Sequence, residues 1–107
     1  MATVTPVTDD TFTDATSSGI VLVDFYADWC GPCQAMMPAV EELATEYDGK
    51  VSFVKVNTDE NQATSQKFAV MSIPTFKILK DGEEVGAVTG GVGKDKLQEA
   101  IEAALND

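Results

Sequence analysis

Two cysteines stand three positions apart in the run Asp28-Trp29-Cys30-Gly31-Pro32-Cys33, and the chain of 107 residues has no others. Two thiols at this separation have a chemistry of their own: they join as a disulfide and part again as a dithiol. On a helix, residues i and i+3 share a face, with Cβ atoms about 5–6 Å apart. A disulfide asks for Cα atoms about 4.4–6.8 Å apart. Cys30 and Cys33 therefore bond or separate with little backbone movement. Cys30 falls where a helix is expected to start. Free N–H groups and the positive end of the dipole favour an anion there, so its thiolate is the expected nucleophile. Pro32 suits the first helical turn, where no N–H is needed, and Gly31 leaves the approach to sulfur open. Cys33, one turn further in, is expected to be less exposed and to act as the resolving thiol. Cys30 would attack a substrate disulfide, and Cys33 would then attack the Cys30 sulfur and release the reduced substrate.

Two plainer readings compete. A structural disulfide across two residues closes too small a loop to stabilise much. Half of a metal site would need a second chain. A strand before the pair and a helix after it favour the redox reading.

Composition removes most rival chemistries. The chain has no His, which excludes Ser-His-Asp and Cys-His catalysis and any zinc site built on imidazole. Two cysteines cannot make a four-thiolate zinc site in one chain, so no metal and no cofactor is expected beyond the redox-active Cys30–Cys33 disulfide. Asp and Glu number 18 against seven Lys and no Arg, a net charge of -11. That charge argues against nucleic acid and against an anionic membrane surface as partners. It reads as a well-solvated surface; a salt-adapted source is the alternative. No window approaches the roughly 20 apolar residues of a membrane span. Met1 to Asp10 has no basic region followed by an apolar run, so no secretory leader and a cytoplasmic location are expected. At 44% hydrophobic residues, one domain over 1–107 can bury its own core.

The elements that must hold the pair alternate between strand and helix patterns, an α/β class. Ala2 to Val7 reads as an edge strand, since Pro6 fits an edge. Thr8 to Ser17 reads as a short helix, with Thr8 or Asp9 as its N-cap. Ile20 to Ala27 is a nearly continuous apolar run, as in a strand buried on both faces. Cys30 to Tyr47 reads as a long helix with Val40, Leu43, Ala44 and Tyr47 on one face, Gly49 as its stop and Pro38 as a kink. Val51 to Asn57 is a second buried strand and Asn61 to Phe68 a third helix. Thr75 to Lys80, the turn Asp81-Gly82 and Glu84 to Thr89 make a hairpin. Lys94 to Leu105 closes the chain as an amphipathic helix, with Leu97, Ile101, Ala104 and Leu105 inward. Crossover connections should set the early strands parallel and the hairpin antiparallel. The thiols then fall at the C-terminal edge of a mostly parallel sheet, where open α/β folds place their sites.

Two charged residues interrupt the apolar strands. Asp24 sits among Ile20-Val21-Leu22-Val23 and Phe25, where a carboxylate is costly unless neutral or paired. Burial should raise its pKa, which makes it a proton acceptor for Cys33; a structural Asp bonded to backbone is the plainer reading. Lys55 is the matching oddity in Val51-Ser52-Phe53-Val54-Lys55-Val56. If the strands are adjacent it lies beside Asp24 and modulates its charge; otherwise it snorkels.

The run Trp29-Cys30-Gly31-Pro32-Cys33, with Val23-Asp24-Phe25 ahead of it, resembles the thioredoxin family. The likeness covers essentially the whole chain: Lys55 in its strand, Ile73-Pro74-Thr75, Gly82 in the hairpin turn and Gly90 before the last helix. The resemblance implies the thioredoxin fold, a central mixed five-stranded sheet flanked by four helices. It implies a monomeric protein-disulfide reductase that acts on disulfide-containing client proteins and is re-reduced by a thioredoxin reductase. It also implies that Pro74 is cis and faces the disulfide; sequence alone reads Pro74 as a bend, since cis is the minority state. The loop around Pro74 would present backbone to the client as a strand-like pairing. Trp29, Gly31, Pro32, Met71, Ile73, Pro74, Thr75 and Gly90 would contact substrate, and Pro38 and Gly82 would be structural. Two positions depart from the family pattern: Gln34 stands where a basic residue is common, and Tyr26 where a second Trp is common. A disulfide oxidase or isomerase on the same fold is one alternative, although Gly-Pro between the cysteines resembles the reducing members. A docking module using the Trp29 and Pro74 surface is another. Replacing both cysteines by Ser separates the docking module from the redox readings.

Overall fold

The computed structural model describes residues 3–107. Strands β1 (Val4–Pro6), β2 (Ile20–Tyr26), β3 (Val51–Asn57), β4 (Thr75–Lys80) and β5 (Glu83–Thr89) are interleaved with helices α1 (Phe12–Thr16), α2 (Gly31–Glu46), α3 (Gln62–Lys67) and α4 (Lys94–Leu105). The strands form one sheet in the order β1-β3-β2-β4-β5. β1, β3 and β2 run parallel, and β4 and β5 complete the sheet antiparallel. The two connection types follow from chain length between strands: α2 bridges β2 to β3, whereas two residues join β4 to β5.

β2 is central, and its apolar run is explained by helices on both faces. Leu22, with Phe53, Phe76 and Ile78 from neighbouring strands, packs against Val40 and Leu43 of α2 and Leu97 and Ile101 of α4. Val21, Val23 and Phe25, with Val54, Val56 and Leu79, pack on the other face against Phe12 and Phe68. Each large side chain so buried contributes roughly 1.5–3 kcal/mol. A slip of one residue in register would exchange the two faces, so the pairing Leu22↔Phe53 and Leu22↔Ile78 is strongly specified.

α2 buries the face read from the sequence, Val40, Leu43, Ala44 and Tyr47. It runs unbroken through the exposed Pro38 and ends at Glu46, with the Tyr47 N–H on the Leu43 carbonyl and Gly49 at φ +85. Lys94 at the start of α4 pairs with Glu42 and Glu46 of α2, and the Tyr47 hydroxyl meets Glu102.

The N-terminal segment departs from expectation. Ala2, where the edge strand was expected to begin, lies outside the described residues, and β1 ends at Pro6. Val7 then donates to the Lys55 carbonyl at 3.0 Å and turns inward. α1 starts at Phe12, not Thr8, because Thr8 to Thr11 forms a turn closed by the Thr8 N–H on Thr11 Oγ1. Thr11 is the N-cap residue, and neither Thr8 nor Asp9 caps α1. The Asp9 carboxylate instead accepts from the Thr64 N–H at 2.9 Å and the Thr64 hydroxyl at 2.6 Å. Thr64 is the third residue of α3, and its N–H is one that a helix leaves unpaired. These Thr64 bonds hold the Asp9 carboxyl below its usual range.

In the hairpin, Asp81 and Gly82 both take positive φ, +52 and +88. This is the left-handed pair of a type I′ turn. β5 starts at Glu83, one residue earlier than expected. The register slips between Ile78, opposite Gly86, and Leu79, opposite Glu84, leaving exposed Val85 as the extra residue of a bulge.

Candidate active site

Cys30 is the N-cap of α2, with extended backbone at φ -85 and ψ 105. Its sulfur takes the place that a Ser or Asp oxygen would occupy in such a cap: the Cys33 N–H points at Cys30 Sγ at 3.2 Å. α2 is 16 residues long and carries no acidic residue in its first turn. The positive end of its dipole is therefore unopposed at that sulfur. The two cysteines are joined as a disulfide, with Cα atoms 5.2 Å apart.

Cys33 was expected to be less exposed than Cys30; the residues are 3% and 4% exposed, so both are buried and the difference is small. Cys30 and Cys33 form a buried cluster with Ala27, against which Tyr26 and Ile73 pack, so both cysteines are enclosed while bonded. The difference between them is position: Cys30 lies at the mouth of the helix and Cys33 inside its first turn.

Three loops meet around the pair. Gly31 is open, with nothing within 4 Å of where a Cβ would lie, and Pro32 beside it is exposed. A Cβ on Gly91 would lie 3.6 Å from Pro32, which brings the loop after β5 against the start of α2. The Gly90 N–H donates to the Pro74 carbonyl at 2.8 Å, with Gly90 at φ +94. Pro74 is buried, follows a cis bond, and is preceded by Ile73, which packs on the cysteines. Trp29, 72% exposed, and Met71, 92% exposed, face a hollow of about 410 Å³ lined also by Thr58, Val70, Ser72 and Ile73. Thr75 is buried, and its hydroxyl donates to the Ser72 carbonyl at 2.7 Å, so its side chain braces the loop. Pro38 lies along α2, and Gly82 lies at the far end of the sheet, where Asp81 bonds Gly19 ahead of β2. Gln34 reaches back to the Asp28 carbonyl at 3.4 Å.

Asp24 is 2% exposed, and its Oδ1 has no hydrogen-bond partner. It shares a sheet face with Leu22 and, in register opposite, Phe76, the face that α2 covers. Burial raises its carboxyl from 3.8 to about 7, against the opposing pull of Lys55. Lys55 stands opposite Asp24 in the β2–β3 register, partly buried, with its Nζ 5.5 Å from the Tyr26 ring centroid. The two oddities of the sequence are thus one neighbourhood, and Lys55 also lies over the ring of Tyr26, which packs against the cluster of Ala27, Cys30 and Cys33.

Sequence reasoning missed Asp59, whose carboxylate accepts from the Trp29 indole N–H at 2.8 Å. It also missed Asn57, whose side chain shapes the loop that carries Asp59. The available signal was an Asn ending an apolar strand before Thr58-Asp59, a pattern that favours a side-chain-closed turn. Among the described residues, no group of three or more His, Cys, Asp or Glu side chains is placed to hold a metal ion.

The thioredoxin family model matches residues 3–103. A thioredoxin of Staphylococcus saprophyticus is 52% identical over 99 residues, covering 92% of this chain and 95% of that protein. Thioredoxins of Staphylococcus haemolyticus and Staphylococcus aureus are 50% and 46% identical over the same shares.

Proposed function

This chain belongs to the thioredoxin family of thiol–disulfide oxidoreductases, and from that premise we propose how its own residues carry the exchange. It is a dithiol–disulfide reductase working through a Cys-x-x-Cys pair. In the proposed sequence, the Cys30 thiolate attacks one sulfur of a client disulfide, forming a Cys30–client bond and releasing the first client thiolate. Asp24 then takes the Cys33 proton. The Cys33 thiolate attacks Cys30 Sγ, the Cys30–client bond breaks, and the second client thiolate leaves and is protonated. Two electrons pass from the dithiol to the client, and the Cys30–Cys33 disulfide remains. A carboxyl titrating near 7 is poised for this step, because it is part ionised at neutral pH and can both take and return a proton.

The observation that carries the assignment of roles is the Cys33 N–H aimed at Cys30 Sγ at the open end of α2. The loops of Ile73–Pro74 and Gly90 would receive the client backbone, and Trp29 and Met71 its side chains. Lys55 would adjust the Asp24 proton. We read residues 1–107 as one domain, acting as a monomer on disulfide-containing clients and recycled by a thioredoxin reductase. All five strands joining one sheet support the single domain. The bacterial origin of its relatives supports a cytoplasmic setting, where thiols are kept reduced.

Insulin disulfide reduction with dithiothreitol tests the roles. Cys30→Ser should fall to the uncatalysed background, and Cys33→Ser should accumulate a mixed disulfide with the client. A Cys30→Ser variant as fast as the unmodified protein would overturn the assignment.

A further inference from the structure

We infer that Asn57 is a positioning residue for client recognition: it builds the turn from which Asp59 holds the Trp29 indole beside the disulfide. The inference rests on the redox reading above and adds to it a residue that touches neither sulfur nor client.

The argument begins with Trp29. An indole 72% exposed is free to rotate unless something ties it, and one contact does, the Nε1–H···Oδ2 bond to Asp59 at 2.8 Å. A bond to a carboxylate is stronger than a neutral one. Asp59 is itself exposed, so it can hold the ring only if its own backbone is fixed. Asn57 fixes it. The Asn57 Oδ1 accepts from the Asp59 N–H at 3.0 Å and the Glu60 N–H at 3.3 Å, an Asx turn. The Asn57 carbonyl accepts from the Asn61 N–H at 3.0 Å and from Asn61 Nδ2 at 3.1 Å. Asn57 is only 8% exposed and lies opposite Tyr26 in the sheet, so the turn is rooted in the core. The Tyr26 carbonyl takes the Thr58 N–H at 2.8 Å. From the far side, the Asp9 N–H donates to Asn61 Oδ1 at 2.9 Å. The bracing therefore runs from Asp9 through Asn61 and Asn57 to Asp59 and ends on the tryptophan.

A wall held in place before binding spares the client the cost of ordering it. Asn57 should therefore act on the affinity for clients large enough to lie across Trp29, and not on the sulfur chemistry. The chain has a single Trp, so its fluorescence reports on this ring alone.

The test compares Asn57→Ala, Asn57→Asp and Asp59→Ala in the reduced full chain, by fluorescence anisotropy and by KM and kcat for oxidised insulin. A small aryl disulfide, dithiobis(nitrobenzoate), is the second substrate. Asn57→Ala should lower the anisotropy to the Asp59→Ala level. It should raise KM for insulin about three- to tenfold, the cost of ordering one large side chain on binding. Its rate with the aryl disulfide should stay within about twofold. Asn57→Asp keeps the Oδ1 acceptor and should restore both readouts. Unchanged anisotropy and KM in Asn57→Ala would overturn the proposal, and so would an equal fall in the aryl disulfide rate. If the alanine variant does not fold, Asn57→Ser, which can close only a weaker turn, should show part of both shifts, and no shift overturns the inference. Failure of the redox reading would look different, because the unmodified chain would then reduce neither substrate.

Discussion

Replacing Asp24 by Asn should leave stability near pH 4 almost as it is and raise it at pH 8 by about 4 kcal/mol relative to that baseline. The folded carboxyl titrates at about 7 and the unfolded one near 3.8. Between those values the folded state keeps a proton that the unfolded state has lost, so stability falls as pH rises. The slope is about 1.4 kcal/mol per pH unit. The loss starts near pH 4 and is nearly complete at pH 7. Well below pH 3.8 both states are protonated and the group contributes nothing. Asp24 is 2% exposed, so solvent screening does little to soften the penalty. Asn keeps the shape and removes the ionisation. Guanidinium unfolding of the oxidised protein, followed by Trp29 emission at unit steps from pH 4 to pH 8, measures the gap between the two proteins. A gap that changes by less than about 1 kcal/mol over that range would show that Asp24 is solvated in the fold, and the proton-acceptor role would lose its basis.

Lys55→Met removes the charge that opposes burial, so the Asp24 midpoint should move above about 7. A pH titration of the Asp24 carboxyl carbon by NMR checks this, and an unmoved midpoint would mean that the ammonium acts elsewhere. Gly82→Ala places a side chain at φ +88 and should cost about 1–2 kcal/mol. Thermal unfolding should show that loss with insulin reduction unchanged, because the turn is at the end of the sheet away from the sulfurs; an unshifted Tm would refute the strain.

Elements carried by a continuous or periodic apolar pattern were legible before the structure. The run from Ile20 and the face of Val40, Leu43, Ala44 and Tyr47 each admit one buried arrangement. Asp24 and Lys55 were legible as violations of that pattern, and their meeting followed from strand adjacency. What the sequence hid was polar and long-range. Asp9 caps a helix 55 residues away, and no local signal distinguishes that from capping the helix beside it. Asp59 meets Trp29 across 30 residues by one side-chain bond, which leaves no periodicity to detect. The burial of both Cys30 and Cys33 goes with a small cluster they form with Ala27, against which Tyr26 and Ile73 pack, a packing effect that helix position alone does not carry. Thr75 was grouped with its loop neighbours, but its hydroxyl turns inward to Ser72.

The two outer strands bear on how such a molecule survives at high concentration. It presents a bare indole and a bare methionine to solvent, surfaces that invite self-association. At one border of the sheet, β1 is three residues long and ends in Pro6, which has no N–H to offer a neighbour. At the other, the bulge at Val85 and the adjacent Glu83 and Glu84 break the ladder and repel a second copy. Neither border is a template for fibril growth, so an adhesive face can stay open to passing polypeptides without the sheets zipping together.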